Sequence, residues 1–132
     1  MKNTDKRRIM LVDDDYDVVY SLKTVLEETG LFQVDGYTDP KLALANFESD
    51  RYDLIVLDIR MPVMDGFDLF KNIKAIDKRV KVCFLTAVSN LIDYKKNYPD
   101  IIKEIEDGDI DCFMDKPLTS ERLLRRIIKV IS

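Results

Sequence analysis

Histidine is missing from all 132 residues. That excludes a Ser-His-Asp triad, a Cys-His dyad and every imidazole metal site, and leaves carboxylates as the main chemical groups. Cysteine is scarce: the two present, Cys83 and Cys112, lie in apolar, strand-like runs and read as small buried hydrophobes, not as a redox pair. No apolar run approaches the roughly 20 residues needed to cross a bilayer. The opening "MKNTDKRR" leads into a strand-like segment with no signal-peptide core behind it. An excess of positive charge is lacking too: a net charge of −4 and a pI near 4.9 argue against nucleic-acid binding. The expectation is a cytoplasmic chain with neither membrane nor nucleic acid among its partners. Low-complexity tracts, repeats and Gly/Ser/Pro linkers are absent, so residues 1–132 read as one domain.

What is present alternates. "RIMLVD" (8–13), "FQVDGY" (32–37), "DLIVLD" (53–58), "VKVCFLT" (80–86) and "DCFMD" (111–115) are short apolar runs without a period of two. They read as strands of a parallel sheet covered on both faces. Between them the period is helical. Val18, Val19, Leu22, Val25 and Leu26 form one stripe, closed by Gly30. Asp39 and Pro40 open a second helix, and Asp65 opens a third with Phe67, Phe70 and Ile73 on its apolar side. A fourth is expected from Pro99 to Gly108. The last follows Thr119, with Leu123, Leu124, Ile127, Ile128 and Ile131 as its buried stripe and Arg122, Arg125, Arg126 and Lys129 on the other side. Five strands alternating with five helices imply a three-layer α/β domain with right-handed crossovers.

In such folds the site lies beyond the carboxyl ends of the strands. The first strand ends at Asp13, Asp14 and Asp15, the third at Asp58, the fourth at Thr86, and the fifth leads to Lys116 and Pro117. A carboxylate cluster, a hydroxyl and an ammonium group therefore converge on one rim. Carboxylates so close disfavour one another's ionisation unless a hard cation joins them; magnesium, which keeps several waters, needs only one or two.

The motifs "LVDDD" (11–15), "LIVLDIRMPVMDGFDL" (54–69), "FLTA" (84–87) and "FMDKP" (113–117) resemble the receiver domain of two-component response regulators, over essentially the whole chain. The resemblance implies a flavodoxin-like (βα)5 doubly wound sheet of strand order 2-1-3-4-5. It implies a domain that accepts a phosphoryl group from a sensor histidine kinase or phosphotransfer protein, and catalyses its own phosphorylation and dephosphorylation only. By that similarity Asp58 is the nucleophile and phosphoacceptor. Asp13, Asp14, Asp58 and the backbone carbonyl of Arg60 hold Mg2+, with Mn2+ as an alternative ion. Lys116 and Thr86 contact the phosphoryl oxygens, Thr86 and Phe113 act as the switch, and the Lys116–Pro117 peptide is cis. The output face comprises the fourth helix, fifth strand and fifth helix, serving a downstream protein or output domain, with a phosphorylation-dependent homodimer as one further arrangement.

The sequence departs from the family between Thr86 and Lys116, where the segment from Val88 to Pro99 is enlarged. Arg60 and Val88 occupy positions that tune dephosphorylation in the family. Two alternatives differ in class. A receiver-shaped interaction module that is never phosphorylated usually loses an acidic, threonine or lysine position, and all are kept here. A haloacid-dehalogenase-like phosphohydrolase would use Asp13 and Asp15, but Asp17 and the late Lys116 fit that pattern poorly. The chain ends just after its last helix, which leaves open a stand-alone protein or a piece of a longer one.

Overall fold

Each of the four helices described along its length starts at a polar side chain that caps an otherwise unsatisfied backbone N–H. The Asp15 carboxylate accepts from the Asp17 N–H to open α1 (Tyr16–Glu28), and Asp39 accepts from Lys41 to open α2 (Pro40–Asn46). Asp65 accepts from Asp68 at α3 (Gly66–Ile76), and Thr119 from Arg122 at the last described helix, α4 (Ser120–Ile131). Gly30 sits just beyond α1 at φ 76°, the left-handed ending that glycine adopts without strain. The computed structural model describes residues 6–86, 99, 103, 112–115 and 119–132, with the backbone alone at Thr86 and Asp115.

The strands β1 (Arg7–Val12), β2 (Phe32–Tyr37), β3 (Leu54–Asp58), β4 (Lys81–Thr86) and β5 (Cys112–Asp115) are parallel, in the order β2-β1-β3-β4-β5. This is the flavodoxin-like doubly wound arrangement expected, with its switch point between β1 and β3. Pro99 and Lys103 are helical; the remainder of the helix expected there lies outside the described residues, as does nearly all of the enlarged segment.

The missing alternation in the strands now has its cause. On one face Met10, Val12, Ile55, Leu57, Val82 and Phe84 pack under α2 and α3. On the other Ile9, Leu11, Leu54, Val56, Cys83 and Leu85 pack under α1 and α4. Both faces are dry, so successive residues are all apolar.

Two expectations need correction. Asp13 falls beyond β1: its N–H still donates to the Tyr37 carbonyl at 3.1 Å, but its side chain turns back to accept from Asp15 at 2.9 Å, which ends the strand. Ile128 is 44% exposed. Leu123 and Ile127, four apart, face the sheet; Ile128 is one step, about 100°, further round the helix.

Candidate functional site

Pairing of Val12 with Leu57 brings Asp13, one residue on, beside Asp58 at the carboxyl edge of the sheet. Asp13 is fully buried and Asp58 is 5% exposed, whereas Asp14 is open to solvent. One carboxylate oxygen from each lies within 4.8 Å of the others. At that spacing or closer and an effective dielectric of about 20, ionised Asp13 and Asp58 would repel by about 3.5 kcal/mol or more. The run "DDD" is thus divided by the fold. Asp13 and Asp14 turn to the cluster, as the resemblance implied, and Asp15 caps α1, a role the sequence reading did not assign.

The donors are oxygen alone, with no imidazole or thiolate among them, which fits a hard divalent cation and not a soft one. Two buried carboxylates and one exposed one suit magnesium, because the solvent side leaves room for its retained waters.

The loop after Asp58 is held tightly. The Gly66 N–H donates to the Ile59 carbonyl at 2.8 Å, and a Cβ at Gly66 would collide with the Asp58 carbonyl oxygen and lie 2.9 Å from the Ile59 Cα. Glycine is therefore required for α3 to start directly against the end of β3. Between them the Met64 N–H donates to the Pro62 carbonyl at 2.8 Å around Val63, which has φ 73° and is 82% exposed. This is a strained three-residue turn for a β-branched residue. Arg60, two residues past Asp58, is exposed.

Phe113 is half-buried. Its ring lies 5.3 Å from that of Phe84, which meets Phe67 at 5.0 Å and Phe70 at 5.7 Å, so aromatic contacts run from α3 to β5. Arg126, exposed on the side of α4 away from its apolar stripe, also reaches back: its guanidinium donates to the Phe113 carbonyl at 3.2 Å and to the Cys112 sulfur at 3.4 Å. The Thr86 side chain, Val88, Lys116 and the Lys116–Pro117 peptide lie outside the described residues. A cavity of about 300 Å³ lined by Arg7, Asp53, Asp77, Arg79 and Lys81 sits at the opposite edge of the sheet, at the amino ends of the strands. Among the described residues no helix is long and apolar enough to cross a membrane.

Comparison with known proteins gives a consistent picture. Residues 9–128 match the family model of the response regulator receiver domain. The transcriptional regulatory protein PrrA of Mycobacterium leprae is 38% identical over 120 residues, 91% of this chain and 48% of that protein. Sporulation initiation phosphotransferase F of Bacillus subtilis is 33% identical over 84 residues, 64% of this chain and 67% of that protein. Among solved structures, the non-phosphorylated HemR receiver domain from Leptospira biflexa superposes with a TM-score of 0.82 at 31% identity, covering 96% of this chain and 95% of that one. The chain spans about half the length of the curated relatives it matches first. It belongs to the response regulator receiver domain family, the signalling module of two-component systems.

Proposed function

We propose that the chain, as one receiver domain over residues 1–132, accepts a phosphoryl group on Asp58 from a phosphohistidine of a histidine kinase or phosphotransfer protein. The observation that carries this reading is the meeting of Asp13, Asp14 and Asp58 oxygens within 4.8 Å at the carboxyl edge of the sheet. Asp58 is the nucleophile: its carboxylate oxygen attacks phosphorus, the phosphorus–nitrogen bond breaks, and the imidazole leaves with its electron pair. Little covalent chemistry remains for the protein, so catalysis is positioning and charge neutralisation. Asp13, Asp14, Asp58 and the Arg60 carbonyl would hold Mg2+ or Mn2+, which when bound neutralises the carboxylates and the phosphoryl oxygens. Burial of Asp58 at 5% exposure restrains the attacking carboxylate and limits water.

Lys116 and Thr86 complete the site as contacts to the phosphoryl oxygens. The absence of histidine from this chain fits the scheme, since the histidine belongs to the donor. Thr86 and Phe113 transmit the change, the Phe113 ring through its contact with Phe84, to the output face of the fourth helix expected from Pro99, β5 and the last helix, α4. That face serves a downstream protein or output domain, or a second copy of the chain. The reading assigns the chain to the cytoplasm, with no nucleic acid or membrane bound by the domain itself and no reaction beyond its own phosphorylation and dephosphorylation.

The test is intact mass after incubation with acetyl phosphate and magnesium, beside an Asp58→Asn variant. One magnesium-dependent phosphoryl group absent from the variant is the expected result. An adduct that survives the substitution, or one on Asp13, would reassign the nucleophile. No adduct and no binding of beryllofluoride, with a control receiver labelling normally, would overturn the phosphoacceptor reading.

A further inference from the structure

We propose that Cys83 and Cys112 form a reversible redox site, in which a hydroperoxide oxidises the two thiols to a disulfide across β4 and β5. The cysteines are 29 positions apart in sequence (112 − 83) but direct partners in the β4–β5 pairing. Neighbouring strands lie about 4.8 Å apart, inside the roughly 4.4–6.8 Å Cα separation that a disulfide spans. Both side chains belong to the core under α1 and α4, together with Leu85 and Met114, so they leave the sheet on the same face. Both are reduced and buried, at 0% exposure for Cys83 and 5% for Cys112.

Two buried thiols in an apolar core are ordinarily inert. Here Arg126 donates a guanidinium hydrogen bond to the Cys112 sulfur at 3.4 Å. A cation on sulfur favours the thiolate, the form that attacks, whereas burial opposes it. The contact makes Cys112 the attacking residue. The Cys112 thiolate attacks one oxygen of the hydroperoxide; the O–O bond breaks, and the leaving oxygen takes a proton to become water or an alcohol. Cys112 is then a sulfenic acid. Cys83 attacks that sulfur, the S–O bond breaks, and the departing hydroxide takes the Cys83 proton as water. Two sulfurs together lose two electrons, and the peroxide gains them.

The bridge would act on the β4–β5 pair beside the Phe84–Phe113 ring contact. A disulfide holds its two Cα atoms at one separation, most often roughly 5.5–6 Å, where unbridged strands lie about 4.8 Å apart. Oxidation therefore fixes the β4–β5 separation one residue from Phe113, whose carbonyl Arg126 also holds. The proposal stands independently of whether Asp58 is phosphorylated.

The experiment treats the reduced, folded chain with hydrogen peroxide, then alkylates it under denaturing conditions and records intact mass. The expected product has lost two hydrogens, carries no alkyl group on either cysteine, yields a joined Cys83–Cys112 peptide on digestion, and is restored by dithiothreitol. Arg126→Gln, at a helix surface position that leaves both thiols in place, should form the bridge about tenfold more slowly. In Cys112→Ala, with circular dichroism confirming the fold, Cys83 should remain fully alkylatable. Alkylation of both thiols after peroxide treatment of the folded protein would overturn the proposal. So would a bridge joining two chains, or oxidation of Cys112 to the sulfinic acid with Cys83 untouched.

Discussion

Asp77 shows how much one buried carboxylate does at the edge of the sheet opposite the acidic cluster. It is 5% exposed and accepts from the Asp50 N–H and the Arg79 N–H, each at 2.9 Å, tying the loop before β3 to the loop before β4. The Asp50 N–H above all, against the opposing effect of burial and with help from Arg79 and Val80, holds its carboxyl below the usual carboxylate range. A depressed native value means that the stabilisation is fully present above the unfolded value, near pH 4. It is lost as pH falls through the lower native one. Asp77→Ala should cost about 3 kcal/mol at neutral pH by leaving those N–H groups without an acceptor. In urea titrations the gap between variant and parent should narrow below about pH 4. A gap independent of pH would assign the loss to packing alone. Val63 offers the opposite sign. Its φ of 73° is unfavourable for a β-branched residue, and its side chain is 82% exposed with little packing to lose. Val63→Asn should therefore raise stability by about 1 kcal/mol, read as a higher urea midpoint at unchanged slope.

At the scale of the element, α3 is the helix on which the acceptor loop depends. Its N-cap Asp65 satisfies the Asp68 N–H, so Asp65→Ala should cost about 1 kcal/mol in thermal or urea unfolding. Gly66→Ala should cost more, about 2 kcal/mol or above, because the new methyl meets the backbone of Asp58 and Ile59 and not a side chain that could rotate away. Under the proposed function it should also slow phosphorylation of Asp58, since β3 and α3 can separate only by moving the acceptor. Equal labelling rates in parent and Gly66→Ala would show that this packing supports the fold but not the chemistry. The link between α1 and β2 is independent: Lys23 bridges Glu27 and the Val34 carbonyl, and Glu27 accepts from the Val34 N–H at 3.1 Å.

For the molecule as a whole, the acidic cluster is a local instability that a divalent ion would relieve. Asp13 and Asp58 both sit out of water, where their repulsion is largest. Magnesium at a hundred times its dissociation constant should add about 2.7 kcal/mol to the unfolding free energy. Asp13→Asn should remove that gain and, in magnesium-free buffer, unfold at a higher temperature than the parent. Differential scanning calorimetry with and without magnesium reads both effects. A magnesium shift that persists in Asp13→Asn would place the ion elsewhere.

The sequence by itself determined the layers, the helix starts and the rim. Short β-rich runs without alternation fit strands buried on both faces, and aspartates before helical periods cap through local contacts. It also put Asp13, Asp14, Asp15 and Asp58 on one rim, because in a parallel sheet every strand end points the same way, and the resemblance to receivers chose Asp13, Asp14 and Asp58 among them. What the tertiary structure alone decided depends on neighbours distant in sequence. It turned Ile128 away from the core and brought the exposed Arg126 guanidinium back onto Cys112 and Phe113. It set Gly66 against the Asp58 backbone and placed Cys83 directly beside Cys112. A strand carries its own hydrophobic pattern, but its register and the side chains lying across from it are fixed only when the sheet closes its pairing and the helices cover both faces.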